Sequence, residues 1–219
     1  VRAHLNGRNI ALVAVFAAFI AASTAVPEIT LAAGIPLSLQ TFAVVLAGLV
    51  LGAWRGAASV LLYLVVGAAG APIFANFRSG LSVFAGPTGG YLIGFLIAAF
   101  VVGLIAQRVR RRGRFAFLNL LGAALVSIPV IYAVGVPWLS LRLGIPMLVL
   151  PEGCTGVGDF SSGCVTGLTV GVLPFLIGDI IKVVAAAAVA AAVHRAFPQI
   201  LPTKNPRVPL EVEKASTTA

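Results

Sequence analysis

The chain of 219 residues is 60% hydrophobic and only 10% charged, with a mean hydropathy of +1.08. With glycine counted and tyrosine left out, the apolar share reaches about 70%, against roughly 45–50% in soluble domains. That excludes a disordered chain, a secreted disulfide scaffold and a soluble enzyme, and leaves an integral membrane protein. The net charge of +9 would suggest nucleic acid in a soluble protein, but in a membrane protein basic residues mark the cytoplasmic side, so no nucleic-acid partner is expected.

Apolar runs bounded by charge, Pro or Gly clusters fall at about 10–26, 35–53, 57–74, 90–106, 115–134 and 172–194. At roughly 20 residues per crossing, these predict an all-α bundle of six transmembrane helices in one membrane domain, 10–197. Residues 1–9 form a short cytoplasmic N-terminus. The first run follows Arg2 and Arg8 without a small-residue cleavage pattern, so it reads as a span and not a signal peptide. With the N-terminus inside, the cytoplasmic segments hold Arg2, Arg8, Arg55, Arg108, Arg110, Arg111, Arg112, Arg114, Arg195, Lys204, Arg207 and Lys214, which is 12 of the 15 basic residues. Outside lie only Arg78 and Arg142, and Lys182 falls within the sixth span. This bias predicts that both termini are cytoplasmic. The outer loops run from about Pro27 to Gln40, Ala71 to Gly90 and Gly135 to Gly171, each rich in Gly, Pro, Ser and Thr. The tail, 198–219, carries four prolines and mixed charge and reads as a disordered cytoplasmic end.

In the first span Ala14, Ala18 and Ala22 repeat at four-residue spacing, which lets another helix approach closely. Packing within the chain's own bundle and docking of a partner subunit both fit that stripe. In the second outer loop Asn76 offers an amide with donor and acceptor capacity, although a turn former would use the same residue. The run Gly86-Pro87-Thr88-Gly89-Gly90-Tyr91 allows close backbone approach beside a ring with a polar tip, as would a simple loop-to-helix junction. Cys154 and Cys164 bracket a Gly-rich outer segment where a disulfide is chemically permitted, free thiols being the alternative.

Asp179 and Lys182 are the most informative pair. They stand three apart, on one helix face, in a span that begins at Pro174. At 1.5 Å per residue they lie about 8 and 12 Å below its outer end. Each group costs about 2.5–3.5 kcal/mol on insertion scales, so neither should be unpartnered. A mutually neutralising structural pair is one reading. A pair that also holds a polar ligand explains why both sit in the outer half. No P-loop, His-Glu-x-x-His or Gly-x-Ser-x-Gly is present, so no ATPase, zinc-protease or serine-hydrolase chemistry is expected of this chain. No metal site or bound cofactor is expected either.

These residues assemble into a resemblance. Ile35-Pro36-Leu37-Ser38-Leu39-Gln40-Thr41-Phe42, Gly86 through Phe95, Gly135-Val136-Pro137-Trp138-Leu139 and Pro174 through Lys182 resemble the signatures of BioY, the biotin-specific substrate-binding (S) components of energy-coupling-factor (ECF) transporters. The likeness runs from about Ile10 to Phe197. It implies a multi-pass protein of a prokaryotic plasma membrane with a biotin pocket near the outer surface, covered by the first loop. It implies a transmembrane coupling subunit and two cytoplasmic ATPases as partners, with ATP used only by those subunits. Carried over by position, it makes Asn76, Asp179 and Lys182 contacts to biotin, with Gln40, Tyr91, Phe77 and Thr88 as further contacts. The Cys-bracketed segment between Met147 and Thr169 departs from the family pattern.

Biotin chemistry suits these groups, since a Lys ammonium can pair a carboxylate while Asp and Asn satisfy a ureido ring. Operation alone, as a homo-oligomer or with the ATPases is compatible with the chain. Two rivals share the architecture: an S component for another small vitamin, and a solitary ion-coupled carrier with Asp179 as its proton site.

Overall fold

The structure, a computed structural model, describes residues 6–25, 29–30, 36–109, 113, 115–149, 154 and 164–201. The regular structure of the described chain is helical apart from one small hairpin and a Phe74–Arg78 bridge, with helices α1 (Gly7–Ala22), α2 (Gln40–Leu51), α3 (Ala53–Ala68), α4 (Ser82–Ala85), α5 (Gly89–Arg108), α6 (Ala116–Leu125), α7 (Ser127–Leu143), α8 (Gly167–Gly171) and α9 (Leu173–Ala196). Three stretches, Gly89–Arg108, Ala116–Leu143 and Gly167–Ala196, are long and apolar enough to cross a membrane, and α1, α2 and α3 are shorter apolar helices.

Several boundaries differ from the sequence expectation. The second run begins as strand, not helix: β1 (Ile29–Thr30) pairs antiparallel with β2 (Pro36–Leu37), and α2 starts only at Gln40. The third outer loop, expected from Gly135, begins later because α7 continues to Leu143 with Pro137 inside it. A proline within a helix removes one hydrogen bond without abolishing the packing that holds the rest. The fifth run is instead interrupted at Val126, three residues before Pro129, where Ser127 Oγ donates to the Ala124 carbonyl at 2.6 Å. Most of the expected tail lies outside the described residues, but its start is packed, since Leu201 is 1% exposed.

Small residues set the helix spacing. A Cβ on Gly48 would stand 2.7 Å from the Ala99 carbonyl oxygen, so α2 and α5 touch backbone to backbone. α2 is the central helix and is buried almost throughout, packed against α3, α5 and α9. Alanines 186, 187, 190 and 191 give α9 a smooth face toward the core it shares with α2 and α6.

One end of the bundle is tied by Arg55. α2 turns into α3 at Gly52, whose φ of 83° suits glycine. Arg55 then donates from Nε to the Leu51 carbonyl at 3.1 Å, from one terminal nitrogen to Asn9 Oδ1 at 3.1 Å, and from the other to the Ile200 carbonyl. His194 bonds the Leu49 carbonyl at 2.9 Å in the same region. Arg8, Arg108 and Arg195 belong to this end, where α1 starts and α5 and α9 stop. Arg55 therefore joins α1, the α2–α3 turn and the C-terminal segment through a planar fork that lysine cannot reproduce. Arg55→Ala is expected to lower stability in detergent by about 1–3 kcal/mol, and Arg55→Lys should recover little of it. Thermal unfolding of the three proteins checks this.

Candidate functional site: a polar pair in an aromatic cavity

At the opposite end, where α2, α5 and α9 begin, the helices part around a cavity. Its walls are Ser38, Gln40 and Thr41 at the start of α2, Phe74 and Ala75, Val83 of α4, Thr88 just before α5, Tyr91, Leu92 and Phe95 of α5, Ile131 and Tyr132 of α7, and Phe175, Asp179 and Lys182 of α9. Most of that surface is apolar and, apart from Thr88 and Tyr91, its polar groups fall into two clusters, one on α9 and one at the start of α2.

The first cluster is on α9. Lys182 Nζ lies 3.1 Å from Asp179 Oδ1, and each side chain is 11% exposed. The i, i+3 spacing brings the two charges together, as helix geometry requires. Tyr132 donates from its hydroxyl to the other carboxylate oxygen, Oδ2, at 2.7 Å. The second cluster is at the start of α2, where Ser38 Oγ donates to Gln40 Oε1 at 3.0 Å and Gln40 Nε2 donates to the buried Tyr63 hydroxyl. Gln40 is thus held at the N-terminal end of α2 with its amide facing the cavity.

Tyr91 is fixed from several sides. Its hydroxyl donates to the Gly171 carbonyl at 2.9 Å, and a Cβ on Gly135 would meet its ring at 2.6 Å. The Gly135-Val136-Pro137-Trp138 run therefore serves packing. Gly135 makes room for Tyr91, and Trp138 Nε1 donates to the Gly86 carbonyl at 2.9 Å. The Gly86–Gly90 run is the other half of that contact, since Gly90 lies against Trp138.

Of the residues singled out from sequence, Gln40, Thr88, Tyr91, Asp179 and Lys182 line the cavity together. Asn76 and Phe77 do not. Both adopt left-handed φ, 56° and 55°, at the tip of a loop closed by the Phe74–Arg78 bridge, and Phe77 is 63% exposed. The bridge turns Phe74 inward and leaves the tip pointing out. Ala14, Ala18 and Ala22 are exposed on α1, while Ala17 and Ile20 face the core, so among the described residues that stripe is left uncovered. Cys154 and Cys164 are joined by a disulfide in the α7–α8 connection, with Cα atoms 5.7 Å apart. Tyr132, Phe74 and Phe175 are lining residues that sequence reasoning misses. Tyr132 carries a signal: a tyrosine in an apolar run needs a partner for its hydroxyl.

The model of the BioY family matches residues 2–199. The chain belongs to the BioY family. It is 42% identical over 196 residues to the biotin transporter BioY of Rhodobacter capsulatus, covering 89% of this chain and 97% of that protein. Its identity to the biotin transporter BioY of Rhizobium etli is 34% over 205 residues, covering 91% and 100%. The fold is similar to the crystal structure of the S-component for biotin from an ECF-type ABC transporter, with a TM-score of 0.70 at 23% identity over 89% of this chain and 95% of that one. In this family member the pair on α9 is the chemically distinctive feature of the cavity.

A buried ion pair is sensitive to loss of one partner, because the survivor is left uncompensated at a cost of about 3–5 kcal/mol. Lys182→Met and Asp179→Asn should each lower the unfolding temperature of the ligand-free protein, whereas the double substitution should recover most of the loss. Thermal unfolding of the four proteins reads this directly.

Proposed function

We propose that this chain is the biotin-binding S component of an ECF-type transporter, and that the cavity bounded by α2, α5, α7 and α9 takes biotin from outside. The observation that carries the reading is an Asp–Lys pair, each side chain 11% exposed, opening into an aromatic-walled cavity in a member of the BioY family. The bicyclic ring and valeryl chain suit Phe74, Phe95 and Phe175, and the two polar clusters suit a ligand polar at both ends.

The pair also suggests an orientation. Asp179 and Lys182 touch, so both meet the same end of an extended biotin. A ureido group offers N–H donors beside a carbonyl acceptor, which matches a carboxylate beside an ammonium. The biotin carboxylate then points toward Ser38 and Gln40.

In this reading six helices cross the membrane and both termini are cytoplasmic. Arg8, Arg55, Arg108 and Arg195 at one end support that orientation, and the disulfide near the cavity end fits an oxidising outer side. The shortness of α2, 12 residues, follows from its starting at the cavity wall. Non-helical backbone at membrane depth is tolerated where it lines a cavity. The exposed Ala14-Ala18-Ala22 stripe serves as docking surface for the coupling subunit, through which two ATPases supply energy.

A thermal-shift panel of vitamins tests the ligand, because a ligand at 100 times its Kd adds about 2.7 kcal/mol of stability. Biotin alone should give the large shift, and Lys182→Ala should lose it. A shift with another vitamin and none with biotin would overturn the reading. Ala18→Leu should impair assembly with the coupling subunit while leaving biotin affinity intact, as read by co-purification and titration.

A further inference from the structure

Asp179 is held from two sides. Lys182 occupies Oδ1 at 3.1 Å and the Tyr132 hydroxyl occupies Oδ2 at 2.7 Å, so the carboxylate cannot rotate without breaking one of these bonds. Tyr132 is itself braced: its ring meets the Tyr91 ring edge to face, with centroids 6.3 Å apart and planes at 86°. Tyr91 is in turn anchored on Gly135 and the Gly171 carbonyl. A chain of contacts thus runs from α8 through α5 and α7 to the carboxylate on α9.

A phenol has one hydrogen to give. Tyr132 gives it to Asp179 and retains only acceptor capacity toward a ligand. A phenylalanine would fill the same space against Tyr91, so packing against Tyr91 does not call for the oxygen. We propose that Tyr132 is a positioning residue for ligand recognition: its hydroxyl fixes the Asp179 carboxylate in the orientation that receives ligand N–H groups, and it acts through Asp179 and not by its own contact. The proposal rests on the reading that this cavity binds biotin.

The test is a double-mutant cycle on the full-length protein in detergent, with wild type, Tyr132→Phe, Asp179→Asn and the double variant. Biotin affinity is measured by isothermal titration, and thermal unfolding is measured without ligand. Tyr132→Phe is expected to weaken biotin binding about tenfold or more, the usual scale for a hydrogen bond to a charged group. In the Asp179→Asn background the same change should weaken it by no more than about twofold. In the ligand-free cycle the two substitutions should likewise be non-additive.

Unchanged affinity in Tyr132→Phe would overturn the proposal, as would a further tenfold loss in the Asp179→Asn background, which would mark a separate contact to the ligand. If Asp179→Asn binds too weakly to titrate, the single-variant affinity and the ligand-free cycle decide, and additive unfolding effects overturn the proposal. Absence of biotin binding by the wild type would instead overturn the reading of the site, leaving the ligand-free cycle to report the Tyr132–Asp179 bond.

Discussion

A carboxylate and an ammonium in an otherwise apolar stretch of helix have to satisfy one another, and the cavity end of this protein is arranged around that requirement. Asp179 and Lys182 meet because they are three apart on α9. They stay usable by a ligand because the wall around them is aromatic and not polar. Water would weaken the pair and compete for its free lone pairs and hydrogens. A closely packed apolar core without a cavity would leave the pair neutralised and inaccessible. The aromatic residues on α5, α7 and α9 avoid both outcomes, and Tyr132 closes the circuit by taking the second carboxylate oxygen.

The two ends of the bundle are built by different means. At the arginine-rich end, long side chains cap backbone carbonyls: Arg55 serves Leu51 and Ile200, and His194 serves Leu49. Such bonds hold elements in fixed register and leave little open space. At the cavity end the helices are separated by rings, and hydroxyls and an indole nitrogen make the ties between elements. Aromatic contacts hold by dispersion spread over many atoms, where the guanidinium holds by a few directed bonds. The fold thus keeps one end closed and the other open around a cavity.

Much of this is legible in the chain. The apolar runs, the asymmetry of basic residues and the intramembrane Asp–Lys pair are local in sequence, and the i, i+3 rule carries the pair directly into three dimensions. What is not legible depends on contacts distant in sequence. Tyr132 is 47 residues from Asp179, and nothing near it announces the bond. Asn76 reads as a cavity group from its chemistry and motif, but its direction is set by the Phe74–Arg78 bridge and a left-handed backbone. The Gly135–Trp138 run stands out by its pattern, and only the structure assigns it to seating Tyr91 and tying Gly86. The packing of Ile200 and Leu201 is hidden because a Pro-rich, charged composition speaks to the tail as a whole and not to its first few residues.

The uninterrupted course of α9 has a structural consequence. The helix runs from Leu173 to Ala196 without a break, carrying the charged pair near one end and His194 near the other. Twelve residues separate Lys182 from His194, about 18 Å of helix at 1.5 Å per residue. The pair and His194 therefore stand on one continuous rigid element that spans the two ends of the bundle. The same helix thus connects the cavity pair to the Leu49 carbonyl beside the α2–α3 turn without a relay of side chains between. α6 and α7, by contrast, meet at Val126, where the backbone stays right-handed helical and the two together run from Ala116 to Leu143.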